Sequence, residues 1–352
     1  MIPVVNHELR YVMFYSAKVA SSALRELFVG LHVPVVEGEV DRYHNLHAEF
    51  APRPDQDYAG FFSYQVTRNP YSRLISAYLD QYVYAGLPIK VGDEASANGD
   101  KDLNFTDFIR ALEQVPDAER DVHFQSQSSQ ASFAHISSLA QRKPDLIADV
   151  KSLGSCLKAA YSEIFQRAGR DVASELVLVQ RLVSERESRN SLYYAEQSYA
   201  DAAQLSPAVL RAMVAAPKAQ DFYLSAEIRA TVQRIYQNDF ASYGYSPDSV
   251  PQAKPSADLQ LIPADFDWRT YLELNPDLAL AGMQSEREVV RHYLEFGRLE
   301  DIPRAYKVIA PAGFEWQKYL AKNPDLGAGG ISDERAAVVH YLGFGVREGR
   351  QY

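Results

Sequence analysis

Hydrophobic and polar positions near the start of the chain predict two units in which a buried strand is followed by a helix. The first strand covers residues 11–15, an uninterrupted aromatic and β-branched run that is typical of a parallel strand. Apolar residues then recur at helical spacing from Ala20 to Leu31, and Gly30 stands where a C-terminal cap would fall. A second strand over residues 61–66 precedes another helical pattern. The pattern therefore predicts an α/β fold with a parallel sheet flanked by helices.

The rest of the chain divides into a mainly helical region and a repeated tail. From residue 101 to residue 245 the pattern is mainly helical, except that the apolar segment 175–179 is predicted to form another strand. Further on, the sequence repeats with a shift of 48 residues, so that Phe-Asp-Trp at 266–268 returns as Phe-Glu-Trp at 314–316. Each copy is predicted to form two short helices joined by the turn that Asn-Pro-Asp favours.

These boundaries predict two domains. We expect a first domain at residues 1–246, a linker rich in Pro, Ser and Asp at 247–263, and a small all-α domain with repeats at 264–304 and 312–352. The paired histidines and tryptophans of the repeats are interpreted as packing residues rather than ligands; they are Trp268, His292, Trp316 and His340. A partner protein is one expected ligand of the repeats.

Composition and charge restrict the class of protein and its partners. With 352 residues, of which 47% are hydrophobic and 23% charged, the chain has the composition of a folded globular protein. Its net charge of −10 and the lack of a long Lys/Arg run disfavour nucleic acid as a partner. The single cysteine, Cys156, excludes an intramolecular disulfide framework and a cysteine-based zinc cluster. No signal peptide or transmembrane segment is recognised, so we expect a cytoplasmic protein, free or peripheral at the inner face of a membrane.

The polar loop at residues 16–22 joins the first strand to the first helix and is suited to hold an anion. At such a junction the free N–H groups of the first helical turn and the positive end of the helix dipole face the loop. Lys18 adds a positive charge, while Ser21 and Ser22 add hydroxyl donors. The glycines of the usual phosphate-binding loop, GxxxxGK[ST], are missing, so the junction is P-loop-like only in its geometry. The alternative is an ordinary capped helix with a solvated lysine.

The junction after the second strand is basic as well. Arg68 lies at the junction, and Pro70 suits the first helical position because its missing N–H costs nothing there. Arg73 and Ser76 lie three residues apart on the helix, where a phosphate could contact a guanidinium and a hydroxyl together. A solvated helix arginine is the alternative for Arg73. Two such junctions on neighbouring strands predict a ligand with two separated anionic groups at the carboxyl ends of the strands.

Two histidines lie between the two units, at His44 and His47. Their spacing would place them on one face of a helix, but no cysteine or convincing third ligand for a metal is near them in the sequence. An imidazole suits the role of a base near neutral pH better. Structural or exposed histidines are the alternative.

The two junctions resemble the donor-binding motifs of sulfotransferases that use 3′-phosphoadenosine 5′-phosphosulfate (PAPS). Residues 17–24 resemble the 5′-phosphosulfate loop PKxAST, and residues 68–78 resemble the 3′-phosphate motif RxPxxRxxSxY. Residues 105–109, 121–127 and 228–245 are similar to the FxxFV, DxHWxPQ and YxxDFxxFGY segments of carbohydrate sulfotransferases of the chondroitin and HNK-1 type and their bacterial relatives. The repeats resemble modules appended to bacterial glycan-modifying enzymes.

This resemblance implies an activity and a set of site residues. The implied reaction moves the sulfuryl group of PAPS to a hydroxyl of a bacterial surface glycan or glycolipid, with PAP as the second product and no metal required. The implied donor-binding residues are Ala17, Lys18, Val19, Ala20, Ser21, Ser22, Arg68, Arg73 and Ser76. Lys18 would stabilise the leaving group, and His47 is favoured as the base over His44. His123 is a further candidate for the base, and both His123 and Gln127 lie in a segment that resembles one near the acceptor.

Two departures from the family pattern and two other functions complete the prediction. Ala17 replaces the proline of the PKxAST loop, and the cysteines that often follow the HWxPQ segment in Golgi members are absent, which fits a bacterial or cytosolic protein. A nucleotide-dependent kinase or other phosphotransferase would use the same junctions, but it would need an acidic magnesium ligand after another strand. An inactive glycan-binding scaffold is the second alternative, and the presence of Lys18, Arg68 and Ser76 argues against it.

Overall fold

The computed structural model describes residues 1–32, 50–87, 102–140, 142–184 and 193–352, and it shows a mixed α/β architecture. In this part of the chain the strands form one four-stranded sheet in the order β1-β2-β3-β4. The strands are β1 (Ile2–Asn6), β2 (Tyr11–Tyr15), β3 (Phe62–Thr67) and β4 (Leu146–Asp149). Strand β1 pairs with β2 in antiparallel orientation, whereas β2, β3 and β4 run parallel. The predicted α/β fold with a parallel sheet flanked by helices is confirmed.

Helices surround the sheet and form the repeated tail. The α-helices before residue 254 are α1 (Ser21–His32), α2 (Pro70–Ala77), α3 (Phe105–Gln114), α4 (Leu153–Arg167), α5 (Val172–Ser184), α6 (Pro207–Ala212), α7 (Ala226–Ile235) and α8 (Gln237–Tyr243). Those after it are α9 (Trp268–Leu274), α10 (Pro276–Leu280), α11 (Glu286–His292), α12 (Trp316–Lys322), α13 (Pro324–Ala328) and α14 (Glu334–His340). Three π-helical turns occupy Tyr78–Tyr84, Tyr293–Gly297 and Tyr341–Gly345. Short 3₁₀ turns occupy Asp117–Glu119, Ala131–Phe133, Val150–Ser152, Ala202–Gln204, Ala219–Tyr223 and Ala257–Leu261.

Strand β2 is buried on both faces, which explains its uninterrupted apolar run. Side chains alternate along a strand, so Met13 joins one core with helices α1, α4 and α5, while Val12 and Phe14 join another with Phe133. Its register pairs Phe14 with Gln65 of β3, and β3 pairs Thr67 with Asp149 of β4. The carboxyl ends of the three parallel strands therefore meet at one edge of the sheet.

The prediction of a strand at 175–179 is wrong, because these residues lie inside helix α5. Leu176 and Val179 are buried in the core that α1 and α4 share, whereas Val177 between them is 65% exposed. A short apolar run is compatible with a strand or a helix, and here packing against α1 and α4 decides for the helix.

The sequence pattern missed two strands and misplaced one helix end. Strands β1 and β4 were not predicted; β4 has only four residues, all half-buried, so it lacks a strong apolar signal. Helix α1 continues through Gly30 to His32, so Gly30 is not its C-terminal cap. The last turn of α1 is held by a hydrogen bond between the Tyr11 hydroxyl and His32 Nε2 at 2.7 Å.

The chain forms two compact units, each with its own core. The second unit contains residues 254–352 together with the short segments 193–196 and 209–216. These segments pair with each other through the backbone, since Ala216 N–H donates to the Tyr193 carbonyl at 2.7 Å and Ala195 N–H donates to the Ala216 carbonyl at 2.9 Å. The sequence did not indicate that they belong with the repeats.

Each repeat has three short helices and a π-helical turn rather than the two helices predicted. The Asn-Pro turn starts a helix of its own, with Pro276 and Pro324 in the first turns of α10 and α13. A third helix follows, which in the first repeat begins with a capping box of Ser285 and Glu288. Among the described residues no helix is long and apolar enough to cross a membrane.

The interiors of the two repeats are built alike. The Tyr271 hydroxyl lies 3.1 Å from His292 Nδ1, and the Tyr319 hydroxyl lies 2.9 Å from His340 Nδ1. A Cβ atom at Gly297 or its counterpart in the second repeat would overlap the tyrosine hydroxyl. The two histidines therefore make internal hydrogen bonds, as predicted for packing residues.

Candidate active site

The loop between β2 and α1 has a backbone conformation that non-glycine residues rarely adopt. Lys18 and Ala20 have φ angles of +66° and +58°, in the left-handed region. Each such residue costs about 1 kcal/mol relative to ordinary backbone. Turns of this kind point backbone N–H groups into a concave surface that can bind an anion. The two positive φ angles are therefore compatible with an anion-binding turn, although the glycines of the usual motif are missing.

Two arginines from the β3–α2 junction hold this loop in place. Arg68 Nη1 donates to the Lys18 carbonyl at 3.1 Å, and Arg73 Nε donates to the Ala17 carbonyl at 2.9 Å. Arg73 is 1% exposed, so it is not the solvated helix arginine considered as an alternative. The two basic junctions that the sequence predicted are thus brought into direct contact at the carboxyl edge of the sheet.

Helix α2 begins in the way that its sequence predicts. Asn69 caps the helix, its Oδ1 accepting a hydrogen bond from the Tyr71 N–H at 3.0 Å. Pro70 lies in the first helical turn, where a missing N–H leaves no hydrogen bond unmade. The helix then carries Arg73 toward the loop, and Ser76 lies half-buried about one turn later.

Two buried polar atoms beside the loop have no hydrogen-bond partner among the described residues. They are Ser16 Oγ at the end of β2 and Arg73 Nη2 on α2. Buried polar groups are rarely left without a partner, because each lost hydrogen bond carries a desolvation cost. Both atoms can donate to an oxyanion. The residues around the loop therefore fit an anionic ligand.

Lys18 forms an ion pair with Asp80, a residue that the sequence analysis did not single out. Asp80 lies on the π-helical turn that follows α2, and its Oδ2 also accepts from Gln81 Nε2 at 2.5 Å. Burial opposes ionisation of the carboxyl group, but the hydrogen bond and charge of Lys18 outweigh it and hold the pKa of Asp80 below its ordinary value. Asp80 follows Arg73 by seven residues, two helical turns further along. This spacing could have identified Asp80 as a candidate site residue from the sequence.

His123 is half-buried and is paired with the exposed carboxylate of Asp121 on the segment after α3. Its Nδ1 lies 2.6 Å from Asp121 Oδ1, and its backbone N–H donates to the same oxygen at 2.9 Å. With Nδ1–H assigned as the donor, Nε2 carries a lone pair and can accept a proton. His123 also makes a small contribution to the lowered pKa of Asp80.

Gln127 is fully buried and supports the second junction. Its Oε1 accepts from the Arg68 N–H at 2.8 Å, and its Nε2 donates to the Arg68 carbonyl at 2.8 Å. The Asp239 carboxylate on α8 accepts in turn from the backbone N–H groups of Gln127 and Ser128, both at 2.9 Å. The Tyr243 hydroxyl donates to the Gln127 carbonyl at 2.9 Å. Asp239 and Tyr243 thus position Arg68 through Gln127, a role that residue spacing alone did not reveal.

The remaining predicted residues lie at the loop or outside the described part of the chain. Val19 is buried, Ser21 opens helix α1, and Ser22 is exposed in its first turn. His44 and His47, the two histidines favoured as the base, lie outside the described residues. Within the ranges that the structure describes, no group of three or more His, Cys, Asp or Glu side chains is arranged to hold a metal ion.

Comparison with known proteins identifies a family for the larger part of the chain. The model of the sulfotransferase family matches residues 4–246, which include both junctions, the His123 segment and helix α8. No curated protein and no solved structure matches the chain significantly.

Proposed function

The chain belongs to the sulfotransferase family, and we propose that it transfers the sulfuryl group of PAPS to a hydroxyl group of a carbohydrate acceptor. The observation that carries this proposal is the contact between the two basic junctions. Arg68 and Arg73 both donate to carbonyl groups of the Lys18 loop, so the two predicted anion sites would be neighbours. A donor with a 5′-phosphosulfate and a 3′-phosphate has two anionic groups to match them.

The β2–α1 loop would hold the phosphosulfate of the donor. Members of the sulfotransferase family generally use PAPS. The left-handed loop backbone, the Ser16 hydroxyl and the first turn of α1 supply neutral donors. Arg68 and Ser76 would contact the 3′-phosphate, and Arg73 Nη2 supplies a buried charged donor at the base of the loop. This arrangement balances the charge of the donor with protein cations.

Lys18 would stabilise the leaving group. As the S–O bond to the bridging oxygen breaks, negative charge develops on the phosphate of PAP, and an ammonium placed beside that oxygen lowers the barrier. The acceptor oxygen forms the new bond to sulfur, and PAP leaves with the electron pair of the broken bond. Lys18 belongs to the loop itself, so the lysine and the proposed phosphate site lie on the same segment of the chain.

We propose His123 as the base that takes the proton of the acceptor hydroxyl. Asp121 fixes the imidazole so that Nε2 is left to accept the proton, and it would stabilise the imidazolium that forms. Replacing His123 with Ala should lower turnover by about 10²- to 10⁴-fold and leave PAP affinity nearly unchanged. The His44→Ala and His47→Ala variants test the other two candidates in the same assay. If one of them loses turnover while His123→Ala keeps it, the base is that residue.

The proposed acceptor is a glycan or glycolipid of a bacterial surface. Support comes from the similarity of segments 105–109 and 121–127 to those of carbohydrate sulfotransferases, and from the repeats at 264–352. Because Gln127 is fully buried, we assign it to positioning of Arg68 rather than to direct contact with the acceptor. Incubation with labelled PAPS and a panel of bacterial glycans identifies the acceptor.

Calorimetry with PAP, ATP and GTP tests the proposed donor. We expect PAP to bind and the Arg68→Ala variant to lose at least about 10-fold in PAP affinity, because a charged hydrogen bond to phosphate is removed. The matched control is Arg110→Ala, which removes an arginine that is exposed and paired with Glu227. PAP affinity should be unchanged in this control. Selective binding of ATP, or turnover that requires magnesium, would overturn the sulfotransferase proposal in favour of a phosphotransferase.

A further inference from the structure

Asp80 is placed firmly beside the candidate active site. The tyrosines that flank it on the π-helical turn, Tyr78 and Tyr82, are almost completely buried. Both pack against the Phe108 ring of α3, with ring centroids 4.9 and 4.8 Å apart. The Ala85 N–H closes the turn by donating to the Asp80 carbonyl at 3.0 Å. Packing of Tyr78 and Tyr82, which flank Asp80 in the chain, therefore holds the backbone that carries the Asp80 carboxylate.

Hydrogen bonds from Lys18 and Gln81 also orient the Asp80 carboxylate. Lys18 and Asp80 are both partly buried, with side chains 17% and 28% exposed, and Gln81 Nε2 donates to the same carboxylate oxygen. An ion pair with this degree of burial is screened less by water than a surface pair. It restricts the flexible lysine side chain to the neighbourhood of the loop.

The sign of the Asp80 charge distinguishes it from the residues that would hold the donor. Lys18, Arg68 and Arg73 bring positive charge to the loop, and a bound phosphosulfate would be negative. A carboxylate at this place repels that ligand while attracting the lysine that the reaction needs. Asp80 should therefore weaken donor binding and favour the chemical step, two effects of opposite direction.

Resting on the sulfotransferase function proposed above, we propose that Asp80 is a positioning residue that orients the Lys18 ammonium and yields it to the bridging oxygen of PAPS when the donor binds. The lysine ammonium has three N–H groups. One of them can stay hydrogen-bonded to Asp80 while another forms a hydrogen bond to the bridging oxygen of PAPS. Asp80 itself need not touch the reacting atoms.

The isosteric variant Asp80→Asn separates this role from a structural one. We expect PAP to bind about 3- to 10-fold more tightly, because a like charge is removed, while kcat falls about 10- to 100-fold, because Lys18 loses its orientation. Asp80→Glu should recover part of kcat. The matched control is Glu119→Gln, which neutralises an exposed carboxylate and should change neither quantity. Unchanged kcat and PAP affinity in Asp80→Asn would overturn the proposal, and so would a loss of both.

A second measurement does not depend on sulfuryl transfer. Competitive labelling with acetic anhydride, read by mass spectrometry, reports how freely each lysine amine reacts. Lys18 should react several-fold faster in Asp80→Asn than in the unmodified protein, while Lys158, on the exposed face of α4, should be unchanged. Equal labelling of Lys18 would show that Asp80 does not hold it. A different result is that the unmodified protein fails to bind PAP while Lys18 is still labelled faster in Asp80→Asn. That result would confirm the ion pair and show that the proposed donor is wrong.

Discussion

The two ends of strand β2 carry polar groups of opposite character. At its amino end, the Tyr11 hydroxyl lies 2.7 Å from His32 Nε2 and 3.2 Å from the Tyr161 hydroxyl. Burial raises the pKa of Tyr11 and, with a smaller effect from the charge of Arg170, lowers the pKa of His32 to about 4. Near neutral pH this cluster is uncharged and bonded internally.

At the carboxyl end of β2 the polar groups are charged and partly unsatisfied. The loop after the strand carries Lys18 and contacts Arg68 and Arg73, while Ser16 Oγ and Arg73 Nη2 have no partner among the described residues. Its backbone is strained at two positions. One strand thus joins a region built for stability to a region that fits an anionic ligand. Changes at the first end should affect unfolding, and changes at the second should affect activity.

Among changes at the two ends of β2, the largest expected effect is at the carboxyl end, in the variant Lys18→Met. This change keeps most of the side-chain volume but removes the charge, so turnover should fall by about 10²- to 10³-fold. The free energy of unfolding should change by less than about 1 kcal/mol, because the lost ion pair is only partly buried. Turnover at saturating PAPS and urea unfolding measure the two quantities. Near-normal turnover would remove Lys18 from the mechanism.

The amino end should show a pH-dependent stability instead. In the unfolded chain His32 titrates near its ordinary pKa of 6.5, but in the folded protein its pKa is about 4. Folding therefore favours the neutral ring, and this contribution is complete above pH 6.5 and lost as the pH falls toward 4. The loss amounts to about 3 kcal/mol.

Urea unfolding between pH 7 and pH 4 measures this loss. Because other groups also titrate in this range, the relevant quantity is the difference between the unmodified protein and His32→Gln, which cannot gain a proton there. The unmodified protein should lose about 3 kcal/mol more than the variant. Turnover of His32→Gln at neutral pH should stay within about twofold, since the residue lies at the opposite end of the strand. If the free energy of unfolding fell equally in both proteins between pH 7 and pH 4, the assigned role of His32 would be wrong.

The smallest expected effect concerns the strained loop backbone. Glycine adopts positive φ without cost, so Ala20→Gly should relieve about 1 kcal/mol in the folded state. The more flexible unfolded chain offsets about 0.4–1 kcal/mol of that gain. The net change in the free energy of unfolding should therefore be under about 1 kcal/mol. Ala23→Gly is the matched control inside helix α1, and it should destabilise by about 1 kcal/mol. Equal losses in both variants would show that Ala20 is not strained.

Two of the four described strands and both junctions could be predicted because their signals are local. The strand near Tyr11, the helix opened by Pro70 and the spacing of Arg68 from Arg73 are all written within a few residues. Local sequence patterns failed to predict secondary structure where packing between distant segments decided it. Leu176 and Val179 belong to a helix because α1 and α4 cover one side of it. The short strand β4 exists because β3 offers it an edge.

By itself, the sequence determined where the charged groups of the site stand along the chain, because strand and helix periods and motif spacings are properties of neighbouring residues. Only the tertiary structure decided how those groups are paired. Lys18 meets Asp80 across 62 residues, and Asp239 supports Gln127 across 112 residues. No local pattern encodes such contacts, because they depend on how the helices pack at the carboxyl edge of the sheet.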